Sequence, residues 1–238
     1  MNEIQILQEG FASYGLPLTP EQEQQFLEYT QRLLETNQVM NLTAITDPPE
    51  VMRKHHLDSV YPLTLSCFTP GCRVVDVGCG AGFPGLPIKL ARPDISLTLL
   101  DSLAKRVGFL QGCVDALGLE EVTCIHARAE EAARQPEHRE QYDVAVSRAV
   151  ANLRVLVELC GAYVKVGGVF VALKGPGAAA EVEEARTAVG SMGFALEEVR
   201  SAPIPGTDLE HCLVILRKKR PTPSHLPRPF GKIRKKPL

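Results

Sequence analysis

VVDVGCGAGFPG, residues 74–85, is the stretch from which the fold follows. Val74, Val75 and Val77 form a short apolar strand around Asp76, and glycines 78, 80 and 82 let the backbone turn sharply and come close to a ligand. A helix starts near Leu86-Pro87, and its first N–H groups have no partner within the helix. Downstream, apolar runs alternate with helical segments. Strands are expected at 73–77, 96–100, 122–125, 142–146 and 169–173, and helices near 86–92, 103–117, 130–135, 150–164 and 179–192. Short, wholly apolar strands in this alternation mean a parallel sheet covered on both faces, with right-handed crossovers. Two final strands near 194–200 and 209–217 flank a Pro-Gly turn at 203–206 and predict an antiparallel edge hairpin. The expected class is α/β and Rossmann-like, over residues 69–217.

Upstream, residues 1–68 read as a helical extension. Ile4, Leu7, Phe11 and Tyr14 share one helical face, and Thr19-Pro20-Glu21-Gln22 is a capping box with proline at the first position. Asp47-Pro48-Pro49-Glu50 opens another helix through Val51, Met52, His55 and Leu57. No apolar run reaches membrane-spanning length, and MNEIQILQEG lacks a basic segment followed by an apolar one. The seven cysteines form no CxxC pair and read as reduced thiols, so no metal and a cytoplasmic setting are expected.

The formal net charge of −2 conceals a split. Residues 217–238 hold nine basic residues (Arg217, Lys218, Lys219, Arg220, Arg228, Lys232, Arg234, Lys235 and Lys236), no acid and five prolines. The first 216 residues hold 17 basic and 28 acidic residues, a net of −11. A basic, proline-rich end reads as a tail over 218–238, flexible until bound to a polyanion such as RNA. Its deletion is expected to flatten the salt dependence of RNA binding and leave cofactor affinity unchanged.

Asp76 stands two residues before Gly78, and Asp101, at the end of the next strand, 23 residues after it. A carboxylate there can accept both hydroxyls of a ribose, which points to an adenosine-containing cofactor. Gly80-Ala81-Gly82-Phe83-Pro84-Gly85 satisfies GxGxxG, so an NAD(P) oxidoreductase is an alternative, but the triple sits late, and Pro84 and Pro87 remove donors a pyrophosphate uses. The order acid-x-Gly-x-Gly-x-Gly resembles motif I of S-adenosylmethionine-dependent methyltransferases, whose cationic cofactor Asp76 can favour. After the third strand, Glu130 can accept from the adenine amine beside Ala129, or simply face its own helix dipole.

Neither an Asn/Asp-Pro-Pro-aromatic segment nor a strand-end cysteine follows the fourth strand. Ser147 and Arg148 stand there, Arg148 being a candidate for positioning the acceptor or a partner of Asp76 or Asp101. His55 and Asp58 can hydrogen-bond locally near the cleft or link the helical extension to the sheet. Lys174, at the end of the fifth strand, can touch RNA phosphate.

Seven segments carry a family resemblance: NLTAITDP (41–48), KHHLDS (54–59), VVDVGCGAGFPGLPIKL (74–90), LLDSLAKRVGFL (99–110), RAEE (128–131), VSRAVANL (146–153) and FVALKG (170–175). On these the chain resembles the bacterial 16S rRNA guanine-N7 methyltransferase family G, formerly called glucose-inhibited division protein B. It departs from the family at Lys54 and in the basic end. The resemblance implies transfer of a methyl group from S-adenosylmethionine, leaving S-adenosylhomocysteine, to guanine N7 in 16S rRNA or the small ribosomal subunit. It implies cofactor contacts at Gly78, Phe83, Asp101, Ser102, Leu103, Ala129, Glu130 and Arg148; Gly80 and Gly82 complete the loop. A monomer is expected. The competing readings are a methyltransferase of a small molecule or protein, and a non-catalytic ribosome-assembly factor.

Overall fold

A computed structural model describes residues 2–148 and 151–238. Ala149 and Val150, within the VSRAVANL segment and at the expected start of a helix, lie outside the described residues. A seven-stranded sheet runs in the order β3-β2-β1-β4-β5-β7-β6. Its strands are β1 (Arg73–Val77), β2 (Ser96–Asp101), β3 (Val122–His126), β4 (Tyr142–Arg148), β5 (Val164–Lys174), β6 (Phe194–Pro203) and β7 (Glu210–Lys218). Strands β1 to β5 pair in parallel, and β7 lies antiparallel between β5 and β6. The sequence therefore places the hairpin correctly, with its return strand as the inner one.

Alternation along the strands divides the core in two. Val74, Leu99, Val144, Val146, Val171 and Leu213 point to one face, and Val75, Val77, Leu100, Ala145, Phe170 and Val214 to the other. The first face packs against the N-terminal helices α1 (Glu3–Ser13) and α2 (Pro20–Met40), through Leu7, Phe11, Phe26, Tyr29 and Leu33. Thr19 and Gln22 form the reciprocal cap expected of α2, and Asp47 caps Glu50 N at α3 (Pro48–Val51). That helix widens into π-helical turns over Met52–Leu57 before α4 (Asp58–Val60). Helices α5 (Gly85–Ala91) and α6 (Ala104–Ala116) complete this layer.

The second face carries α7 (Ala129–Ala132), α8 (Leu153–Gly161) and α9 (Ala178–Ser191), and also the C-terminal segment. Here the expectation of a flexible basic tail is corrected. Residues 218–238 pack on the domain, with Leu226 and Ile233 buried and a short helix, α10 (Phe230–Lys235), near the end. A proline-rich segment has many carbonyls without a helical or strand partner. Arginines of the body supply the donors: Arg139 bonds to the carbonyls of Thr222, Pro223 and Leu226, Arg134 to Pro227 and Arg154 to Leu238. Arg228 forms a two-pronged pair with Glu158, which is 0% exposed, at 2.8 and 2.6 Å.

Candidate functional site

The loop after β1, with the ends of β2, β3 and β4, borders a cavity of about 510 Å³, within the size range of small-ligand sites. Of the residues expected to contact a cofactor, Gly78, Gly80, Phe83, Asp101, Ser102, Ala129, Glu130 and Arg148 line it. Asp101 accepts from Gly80 N and Leu103 N, each at 2.9 Å, so its carboxylate sets the shape of the glycine loop and faces the cavity. Ala129 is held by a bond from the Tyr163 hydroxyl to its carbonyl, 2.7 Å.

Three expected contacts lie elsewhere. Leu103 is not on the cavity wall; its backbone caps Asp101 and its side chain is half exposed. Gly82 is turned inward at φ +105°, where a Cβ would stand 2.7 Å from the Tyr29 hydroxyl and 2.9 Å from Leu110 Cδ2. It serves close packing beneath the loop, which Tyr29 of α2 also pins through a 2.6 Å bond to Ala81 O.

Asp76 is wholly buried under the loop and accepts from Gly85 N at 2.7 Å through one oxygen, the other having no partner. Burial raises its carboxyl to about 7, against the pull of the Gly85 N–H and of Arg148. The folded state therefore binds a proton that the unfolded chain has released above about pH 4, so this residue's contribution to stability falls as pH rises from about 4 to 7. In wild type, the melting temperature should drop relative to Asp76→Asn between pH 5 and pH 8, by an amount worth up to about 3 kcal/mol. Parallel melting curves for the two proteins would contradict the assignment. Comparison of the pair matters because His55 runs the other way: burial, then Arg148, lower it to about 4, so it disfavours the fold as pH falls below about 6.5.

Arg148 does not pair with Asp76 or Asp101. Its guanidinium bonds to Asp58 Oδ2 at 2.7 Å, Lys54 O at 3.3 Å and His55 Nδ1 at 3.2 Å, and lies 4.9 Å from the centre of the Phe83 ring. His55 and Asp58 thus meet through Arg148, which joins the π-helical turns to the end of β4. An arginine only donates, so His55 Nδ1 accepts and its Nε2–H donates to Thr43 Oγ1 at 2.7 Å. Asn37 holds that loop by accepting from Leu42 N and Thr43 N. Burial raises the Asp58 carboxyl, but bonds from His211 and Arg148 outweigh it and hold it below the usual range.

Sequence reasoning assigned no role to Thr43, Arg106, Arg128 or Phe230, which also line the cavity. Thr43 falls inside the quoted NLTAITDP segment. Phe230 is the lone Phe, Tyr or Trp of residues 218–238 and stands three residues before Ile233 on α10, a readable signal. Lys174 is engaged within the fold rather than offered to RNA: it bonds to Ala151 O and Glu181, each at 2.8 Å, and is 8% exposed. Lys218 is buried against Gly161 O, Arg217 pairs with Glu197 and Arg228 with Glu158. Lys219, Arg220, Lys232, Arg234, Lys235 and Lys236 remain exposed.

Each cavity arginine meets a carboxylate: Arg106 lies 3.6 Å from Asp101, Arg128 2.7 Å from Glu130 and Arg148 2.7 Å from Asp58. These pairings leave little unbalanced positive charge for a pyrophosphate, while Asp101 and Glu130 offer acceptors suited to ribose hydroxyls and an exocyclic amine.

The family described as rRNA small subunit methyltransferase G matches residues 22–207. The ribosomal RNA small subunit methyltransferase G of Clostridium perfringens strain 13 is 45% identical over the whole of both chains. Among solved structures, the precorrin-6y C5,15-methyltransferase of Geobacter metallireducens superposes with a TM-score of 0.52 at 14% identity, covering 76% of this chain and 92% of that one. A geranyl diphosphate methyltransferase solved with S-adenosylmethionine gives 0.54 at 14% identity, covering 68% and 85%. These last two are likenesses of fold.

Proposed function

The chain belongs to the rRNA small subunit methyltransferase G family, and on that premise we propose that it methylates N7 of a guanine in 16S rRNA, using S-adenosylmethionine and releasing S-adenosylhomocysteine. The family match carries the choice of acceptor atom, and the state of the one histidine on the cavity wall among the described residues agrees with it. His55 is held at both ring nitrogens, by Arg148 and Thr43, and is kept neutral by burial. It is not free to take a proton. Guanine N7 carries a lone pair and no proton, so its attack on an electrophilic methyl needs no base.

S-adenosylmethionine supplies that methyl, on a sulfonium. The rest is positioning and electrostatics by the chain. Backbone at Gly78 and Gly80 allows close approach, Asp101 receives the ribose hydroxyls, and Glu130 and Ala129 take the adenine edge. Phe83, stacked on His55 at 4.6 Å, and Arg148 form the wall toward the acceptor. Lys232, Arg234, Lys235 and Lys236, on and beside α10, offer charge for RNA phosphate near that cavity. The target base must be unpaired or flipped out, because an A-form helix hides its major groove. We read the protein as a monomer acting in the cytoplasm.

Small subunits from cells lacking the gene, incubated with methyl-labelled S-adenosylmethionine, should yield one stoichiometric 7-methylguanosine in 16S rRNA after digestion to nucleosides. No transfer to subunits, naked RNA or precursor particles would overturn the reading in favour of a small-molecule methyltransferase or an assembly factor.

A further inference from the structure

The family match ends at residue 207, yet a residue beyond it, Phe230, stands on the cavity wall with Arg128, Ala129 and Glu130. We propose that the C-terminal segment completes the nucleoside end of the cofactor site, with the Phe230 ring as a contact of the adenine. The proposal deepens the cofactor reading above and rests on it.

Three observations converge. The residues sharing this wall with Phe230 are those that follow β3, which the cofactor reading above assigns to the adenine edge. The ring is also held in place: the Arg128 guanidinium lies 4.7 Å from its centre and donates to Glu130 at 2.7 Å. One arginine thus connects the C-terminal aromatic to the carboxylate assigned to the adenine amine. Finally, the segment bearing Phe230 is anchored on both sides of it. Arg228, two residues before, pairs with fully buried Glu158, and Ile233, three residues after, is fully buried. An aromatic face so fixed suits stacking on a purine, which is sequence-neutral chemistry worth roughly tenfold in affinity.

The test is calorimetric binding of S-adenosylhomocysteine, and of S-ribosylhomocysteine, which lacks the base, to the full chain. Phe230→Ala and Phe230→Leu should each weaken S-adenosylhomocysteine binding about 5- to 30-fold. Phe230→Tyr should bind as wild type does, and S-ribosylhomocysteine should bind all four proteins equally. The leucine variant keeps apolar volume, so its loss reports the ring rather than the packing. Unchanged S-adenosylhomocysteine affinity in both variants would overturn the proposal, as would equal weakening of the two ligands, which marks a structural role. Failure of wild type to bind S-adenosylhomocysteine would overturn the cofactor reading and this contact with it, before any variant is compared.

Discussion

Arg148→Ala should lower the melting temperature by roughly 10 °C and remove most methyl transfer. The guanidinium is 14% exposed and the Asp58 carboxylate 15%, so the substitution strands a carboxylate that keeps only a 3.3 Å bond to His211. Breaking such a pair from one side costs about 3–5 kcal/mol, and each kcal/mol shifts a chain of this size by about 2–4 °C. His55 loses the donor on Nδ1, and Phe83 loses the cation beside its ring. Arg148→Lys should rescue little, because one ammonium does not reproduce a planar fork spanning Asp58, Lys54 O and His55. In an Asp58→Ala background, Arg148→Ala should cost much less. Calorimetric melting of the four proteins measures this coupling, and independent, additive losses would show that the two residues do not act as a unit.

The second large effect is expected from ending the chain after Arg220. If residues 221–238 were a free tail, their loss would leave stability and cofactor affinity untouched. Their packing predicts otherwise. Leu226 and Ile233 are buried, at about 2 kcal/mol each. Glu158 loses Arg228, and Arg134, Arg139 and Arg154 lose carbonyl acceptors. We expect a fall of roughly 10 °C or more in melting temperature and weaker S-adenosylhomocysteine binding. Replacing Lys232, Arg234, Lys235 and Lys236 together with glutamine should instead leave melting nearly unchanged and flatten the salt dependence of RNA binding, by about 0.7 in slope for each phosphate no longer neutralised. A truncated protein that melts like the full chain would refute the packed segment.

Much of the molecule was legible before any coordinates. Strand-length apolar runs separated by helix-length segments specify a covered parallel sheet, because each strand is buried on both faces and cannot alternate with polar residues. Asp101 and the loop glycines at 78 and 80 could be placed because the loop's glycine requirement and the strand-end carboxylate are local features. Asp76 was visible as a member of the motif, but its role was not: whether a carboxylate faces a ligand or lies beneath the loop depends on which side of the strand the helix covers.

Partnership was decided only by the fold. Arg148 and Asp58 are 90 residues apart, and Arg228 and Glu158 are 70 apart, so no spacing pattern links them. Charge counting read the C-terminal bases as one cationic run, although three of the nine are taken up by the body: Lys218 by burial, Arg217 by Glu197 and Arg228 by Glu158. Sequence alone determined the sheet and the glycine loop, since those follow from periodicity and backbone requirements within a few residues. Tertiary structure alone decided which charges are neutralised, which carboxylate is buried and that Phe230 reaches the cavity, since those follow from which distant surfaces are brought out of water together.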